Sequence, residues 1–276
     1  MAFLIIDKSK CKKDGLCAGE CPGGLIKLQE DTGYPAIIPG GVRGCNLCGH
    51  CVAVCPHGAL THSDIPAEDC PGIKPELSIN EEQAVQFLRS RRSIRVYQDK
   101  PVEKEKITRL IETARYAPTG GNGQRIEWFV LTDKTRMHSL AGRTVDSIRQ
   151  AIEANPQVLI RQPYLPLVVK AWEAGIDSIL RGAPALVVAS APKEAPDGLV
   201  DLSLALSYLD LMAPTMGLGT CWAGLLQHAL LSAPSLKEFL GMPVEHPHFY
   251  PMMLGYPKAK YYQLPGRKPP KITFFP

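Results

Sequence analysis

The run CNLCGHCVAVCP, residues 45–56, constrains this chain more than any other stretch. It places Cys45, Cys48, Cys51 and Cys55 in C-x2-C-x2-C-x3-C-P spacing. Three thiolates so close in sequence can hold three irons of an iron-sulfur cubane, with a fourth ligand supplied by a partner run. Zinc or a set of buried thiols would satisfy C-x2-C pairs alone. The proline after the fourth cysteine and a second run upstream favour the cluster. That second run, CKKDGLCAGECP, begins at Cys11 and continues through Cys17 and Cys21, but it carries Asp14 where the spacing calls for a cysteine.

Cysteine usage and charge narrow the setting. Seven of the nine cysteines fall between Cys11 and Cys55. The opening MAFLIIDKSKC has an apolar run too short for a signal segment, so the cysteines read as metal ligands rather than as a disulfide framework. Cys70 and Cys221 are expected to be unpaired thiols. No apolar stretch approaches the ~18 residues of a membrane span, and the expected location is cytoplasmic, with no membrane partner. The formal net charge of +4 is modest, and the basic residues are scattered apart from RSRRSIR, which argues against nucleic acid as a partner.

Along the chain, residues 1–61 read as short strands and cysteine loops, with LIKL and AIIP flanking the turn signal EDTGYP. Residues 62–77 carry Pro66, Pro71 and Pro75 and read as a stiff connector. From residue 78 the pattern changes. Ser78 and Glu81 form an S-x-x-E capping box, and Ile107, Leu110, Ile111 and Ala114 repeat at helical spacing up to Pro118. WFVLT, ALVVAS and FYPMML are strand candidates. A long apolar helix is predicted over 202–216, ending at Gly217. The second domain, 78–276, is therefore α+β.

The first sixty residues resemble the bacterial two-cluster ferredoxin family. In that family the fourth cysteine of each run serves the other cluster. The resemblance implies one 4Fe-4S cluster on Cys45, Cys48, Cys51 and Cys21, and a second on Cys11, Cys17 and Cys55 with Asp14 at the fourth position. Some ferredoxins carry aspartate at this point. A carboxylate is a harder, more exchangeable iron ligand than a thiolate, so this cluster is expected as 4Fe-4S or 3Fe-4S. Asp14 as a solvated loop residue beside a 3Fe-4S cluster stays open as an alternative. His50 and His57 read as surface or cluster-tuning groups.

Three segments of the second domain, LRSRRSIRVYQDKPV, YAPTGGNGQRIEWFVLTD and GLGTCWAGLLQHA, occur in an order that resembles the FMN-dependent nitroreductase family over residues 81–276. The resemblance implies an α+β flavodomain that usually dimerises and binds FMN. It puts Arg91 on the flavin phosphate, Arg92 and Ser93 on the ribityl and phosphate region, and Arg95 near the N1/O2 edge. It further puts Pro118, Thr119, Asn122 and Gln124 on the ring and ribityl, and the amides of Ala223, Gly224 and Leu225 toward N5 and O4. Near the C-terminus, LGYPKAKYYQLPGRKPPK implies phosphate contacts from Arg267 and Lys268. Arg125 stands where family members usually have proline. Cys221 and Trp222 read as core packing, and His228, His246 and His248 as ordinary surface or core histidines. Residues 140–180 are expected as helical cover over the substrate cavity.

No Rossmann fingerprint, P-loop, H-E-x-x-H or G-x-S-x-G motif is present. The expected function is an oxidoreductase that passes electrons from two iron-sulfur clusters to FMN and on to a small organic acceptor: a nitroaromatic, a quinone or an activated alkene. The donor would be a ferredoxin or another electron-transfer protein. Two alternatives remain open: an NAD(P)H-fed flavoenzyme whose clusters carry electrons out, and a non-catalytic electron carrier or redox sensor.

Overall fold

A computed structural model describes residues 3–66 and 69–275. The chain divides into two compact units. The first runs to Ser78 and takes in Gly121–Gly123; the second is Ile79–Gly120 and the chain from Gln124 onward.

The first unit is made of two short ribbons and two single-turn helices. Strand β1 (Leu4–Ile6) pairs antiparallel with β4 (Leu60–His62), and β2 (Ile26–Leu28) with β3 (Pro35–Ile37). Helices α1 (Leu16–Gly19) and α2 (His50–Ala53) are each entered through a left-handed glycine, Gly15 at φ 77° and Gly49 at φ 73°. A residue with a Cβ is strained there, which is why both runs have glycine at that point. The apolar centre is small: Cys17, Ile26 and Leu60 are buried, with Leu4, Ile6 and several cysteines packed against them. The stretch from His62 to Ile65, expected as the start of a connector, is folded into this unit. His62 ends β4 and bridges to Ile65.

The second unit is a three-layer arrangement on an antiparallel sheet of order β5-β6-β8-β7, comprising β5 (Glu127–Leu131), β6 (Ala185–Ala191), β7 (Gly219–Trp222) and β8 (His248–Gly255). Strand β6 is buried along its whole length. Side chains alternate across a strand, so Leu186 and Val188 face one helical layer, and Ala185, Val187 and Ala189 the other. The first layer contains α5 (Lys134–Ala154), α6 (Val158–Arg161), α7 (Leu165–Glu173), α9 (Gly224–Ser232) and α10 (Pro234–Leu240), and the second is built on α4 (Lys104–Ala114) and α8 (Gly198–Met212). The predicted strands stand where they were expected, and α4 where the helical spacing placed it.

Two helix ends differ from expectation. Helix α3 (Glu81–Ser90) is capped by Asn80, whose side chain accepts from the Gln83 amide while Gln83 reaches back to the Asn80 amide. Ser78 instead closes a 3-10 turn over Pro75–Leu77. A capping box thus forms, two residues later than the S-x-x-E reading. The long apolar helix starts at Gly198 and is α-helical only to Met212. It then tightens to a 3-10 turn over Ala213–Met216, because Pro214 has no N–H to continue the ladder, and it ends at left-handed Gly217 as predicted. Against the expectation that no apolar stretch approaches the length of a membrane span, Gly198–Met216 is, among the described residues, one stretch with the length and composition to cross a membrane. Its Leu202, Leu206 and Leu209 are buried within the second unit, together with Asp201 and Asp210.

Candidate functional site

The two cysteine runs fold alike. Lys13 and Leu47 take left-handed φ values of 59° and 56°, and the glycines two residues on match as described. The backbone that carries Cys48 in one run is therefore repeated at Asp14 in the other. A cavity of about 270 Å³ is lined by Cys21, Cys45, Cys48 and Cys51. A much smaller one, about 20 Å³, is lined by Cys11, Asp14, Cys17 and Cys55. Each set takes one cysteine from the other run, and the two crossing residues, Cys21 and Cys55, are equivalent. Each accepts an amide N–H from four residues on, Leu25 to Cys21 Sγ at 3.3 Å and Ala59 to Cys55 Sγ at 3.4 Å.

Burial pushes the Cys51 thiol up, and neighbouring Cys48, Cys21 and Cys45 add to that. Burial likewise raises Cys17, with Asp14 and Cys11 contributing. Thiolates crowded this way repel one another unless cations sit among them, and a metal lowers the cost of ionising each. Among the described residues no three His, Cys, Asp or Glu side chains converge on a point that would suit a single ion. The larger set surrounds a space, which suits a cluster better than one zinc. Asp14 Oδ1 accepts the Leu16 amide at 3.1 Å, and Oδ2 lies 4.0 Å from His57 Nε2. None of the nine cysteines is in a disulfide; Cys70 is exposed and Cys221 buried.

In the second unit the segment RSRRSIR runs beside β7, because the Ile94 amide donates to Thr220 O at 2.8 Å. Arg91 Nη1 lies 3.5 Å from Asp210 Oδ2, and buried Asp210 also accepts the Thr220 hydroxyl. Arg92 lines a cavity of about 430 Å³ with Gly219, Thr220, Lys258, Lys260 and Tyr261. Three cations at one hollow suit an anionic group. Arg95 is exposed, and the Cys221 thiol is raised by burial with Arg95 and Arg181 pulling against it.

Residues 88–256 match the family model for the nitroreductase family, and residues 3–56 match that for a 4Fe-4S dicluster domain. The chain belongs to the nitroreductase family. It is a nitroreductase-type oxidoreductase with a ferredoxin-like iron-sulfur domain at its N-terminal end. A relative from Archaeoglobus fulgidus, named "Putative NADH dehydrogenase/NAD(P)H nitroreductase", is 26% identical over 184 residues, covering 64% of this chain and 87% of that one. A protein named "Ferredoxin 7Fe" from Hydrogenibacillus schlegelii is 38% identical over 69 residues, 25% of this chain and 82% of its own length. The crystal structure of a nitroreductase with bound FMN from Bacteroides fragilis shares the fold, with TM-score 0.57 and 20% identity over 71% of this chain and 100% of that chain.

Within the nitroreductase domain the expected flavin residues are placed unequally. Arg91, Arg92 and Ser93 are half-buried beside β7. Gly224 and Leu225 open α9, where first-turn amides have no helical partner. The Ala223 amide, expected to face the flavin, instead donates to Pro251 O at 2.9 Å, because β7 continues its pairing with β8 to that point. In the loop before β5, the Gly120 amide donates to Asp201 Oδ1 and the Gln124 amide to the Thr119 hydroxyl. Pro118, Gln124 and Arg125 are exposed.

Asn122 groups with the first unit, where its side-chain amide donates to the carbonyls of Asn46 and Leu47 at 2.9 and 3.0 Å, so that donor is spent away from the nitroreductase residues. Arg267 and Lys268 lie on an exposed segment without regular structure, and the lysines that line the cationic cavity are Lys258 and Lys260. These two had a signal in the sequence, the PKAK that follows β8, but spacing alone did not rank them above the later pair.

Trp222 sits edge-on to Tyr250 with ring centroids 4.9 Å apart, and Cys221 belongs to the core, as read. His246 is a buried core histidine, with Nδ1 2.9 Å from the Ser190 hydroxyl and Nε2 3.9 Å from Glu127. His228 is exposed and His248 half-buried. His62, lining the larger cysteine cavity, was not singled out by any sequence pattern.

Proposed function

We propose that the first unit holds two iron-sulfur clusters and the second holds FMN, and that the clusters deliver electrons to the flavin for reduction of a small organic acceptor. The observation that carries this reading is the grouping of the ligand sets: two cavities, each lined by three residues of one run and one cysteine of the other, in a chain whose remainder is a nitroreductase domain. Bound clusters move electrons singly, and FMN accepts them one at a time and passes them on in pairs.

The residues suit these groups. The larger set supplies four thiolates for a 4Fe-4S cluster. At the smaller one Asp14 stands on backbone matching that of Cys48, and the name of the ferredoxin relative, 7Fe, favours a 3Fe-4S form there. In the second unit, Arg92, Lys258 and Lys260 would hold the flavin phosphate, joined by Arg91 and Ser93. Asp210 fixes Arg91 by charge-assisted contact, so the guanidinium is oriented before any ligand arrives. Arg95 would face the ring edge that gains negative charge on reduction, and the free amides of Gly224 and Leu225 would face the opposite one. Thr119 and Gln124 stiffen the loop that closes over it by their mutual hydrogen bond.

A homodimer fits the apolar surface. Helix α3 carries Ala84, Val85, Phe87 and Leu88 yet buries none of them, and α8 exposes Leu199, Val200, Leu204 and Tyr208. A second copy covering these faces removes that surface from water.

The test is anaerobic mixing of the fully loaded protein with reduced ferredoxin and, separately, with NADH or NADPH, following flavin absorbance. Bleaching by ferredoxin alone is expected. The nitroreductase relative's name, which includes NADH and NAD(P)H, favours the second reading, with nicotinamide as donor and the clusters as exit. Rapid bleaching by nicotinamide selects it and refutes the first.

A further inference from the structure

His62 ends β4 at the wall of the cavity lined by Cys21, Cys45, Cys48 and Cys51, and it is 3% exposed. Its Nδ1 accepts the backbone N–H of Asp64 at 2.9 Å. A backbone amide can only donate, so Nδ1 offers its lone pair and the neutral ring carries its proton on Nε2. That Nε2 is buried and has no hydrogen-bond partner among the described residues. The ring cannot readily turn to find one. Leu4 pairs with His62 across the ribbon, and the Phe3 ring packs edge-on at 4.1 Å between centroids, 72° between planes.

Buried polar groups in folded proteins are almost always bonded, and an orphan donor at a cavity wall asks what the cavity holds. Around this one the walls are largely apolar, with Leu4, Leu25, Ile26, Ile37 and Ile65. The polar side chains in that lining besides His62 are the four cysteines, Asn46 and His50, and Asn46 and His50 are exposed; the buried acceptors that would fill the cavity are the sulfurs of the cysteines and of the cluster they would hold. Among the described residues the smaller cavity has no equivalent. Its histidine, His57, has a side chain 39% exposed and faces Asp14.

We propose that His62 is a tuning residue for the cluster bound by Cys21, Cys45, Cys48 and Cys51, donating a hydrogen bond from Nε2 to a sulfur of that cluster. The inference rests on the ligand set proposed above. Reduction adds negative charge that spreads over the sulfurs, so a fixed donor stabilises the reduced form more than the oxidised and raises the potential. Asp64 supports this role by fixing the tautomer through its amide.

The test uses the full chain, anaerobically reconstituted. In His62→Phe the cluster's midpoint potential, read by EPR-monitored titration, falls by about tenfold in the one-electron equilibrium constant, which is about 59 mV, with iron content unchanged. His62→Gln keeps a donor and recovers part of the shift. An unchanged potential in a fully loaded His62→Phe protein overturns the proposal. His50 also lines this cavity, and His62→Phe could fail to assemble its cluster. A second measurement therefore leaves His62 in place: pulsed EPR on ¹⁵N-histidine-labelled protein carrying the exposed-site change His50→Gln. Histidine nitrogen coupling to the reduced cluster, together with an exchangeable proton, supports the assignment, and their absence refutes it. If no cluster signal forms even in the parent protein, the ligand set itself is wrong and this inference falls with it.

Discussion

In the first unit the buried apolar centre is Cys17, Ile26 and Leu60, with Cys21, Cys51 and Cys55 packed against it. In the second, both faces of the sheet are covered by helices, and Leu110, Leu140, Leu186, Leu206 and Met252 are among many side chains shut off from water. In a domain of under ~80 residues the hydrophobic core rarely supplies more than about 3–5 kcal/mol, and structural metals are one common supplement. The contrast teaches that the residues proposed as cluster ligands in the first unit also make up its apolar centre. In the second the two roles are separate: Arg91, Arg92 and Ser93, proposed above to hold the flavin, are half-buried polar groups beside β7, while the core is built from apolar side chains.

The largest effect that could break this comparison is expected from Cys51→Ala. Structural metal ligation contributes on the order of 10 kcal/mol to small metal-dependent domains. Losing one of four thiolates should strip one cluster, leave the first unit open to protease, and spare the cooperative melting of the second. Iron and sulfide analysis with limited proteolysis checks this. If the first unit stays resistant without iron, its packing alone holds it and the contrast fails.

Leu206→Ala probes the other side. Leu206 is fully buried between α8 and the sheet, and truncating such a leucine costs about 2–5 kcal/mol. Thermal denaturation of the second unit should shift down accordingly, while the EPR signals of the clusters persist below the transition. Simultaneous loss of both would mean the two units share one cooperative fold.

Asp14→Cys is the smallest change in stability and sharpens the comparison inside the first unit. It makes the two runs chemically alike on backbones that already match. The protein should gain iron and lose any 3Fe-4S signal in the oxidised state, with little change in melting. Identical spectra from the variant and the parent would show that position 14 does not touch iron.

Much of this was legible before any coordinates. The cysteine runs are local: Cys45, Cys48 and Cys51 lie within seven residues, so their spacing dictates their grouping. The exchange of Cys21 and Cys55 between runs came from the ferredoxin resemblance, and the cavity linings group the residues in the same way. Strands β5, β6 and β8 stood out as short apolar runs and helix α4 through its helical spacing. The capping box shifted because two overlapping signals, Ser78 with Glu81 and Asn80 with Gln83, compete in one short stretch, and the 3-10 turn at Pro75 took Ser78 first.

The sequence alone determined which chemistry the chain carries, because thiolate spacing, guanidinium runs and apolar periods act over a few residues and survive without knowledge of the fold. Only the tertiary structure decided which remote side chains reach those groups. His62 meets the larger cysteine cavity through the pairing of β4 with β1. Lys258 and Lys260 share a cavity with Arg92 because the chain beyond β8 bridges Pro257 to Tyr97. Ala223 gives up its amide to sheet pairing. Each of these depends on strand register between segments far apart in the chain, and register is set by how the whole core packs rather than by any short stretch of residues.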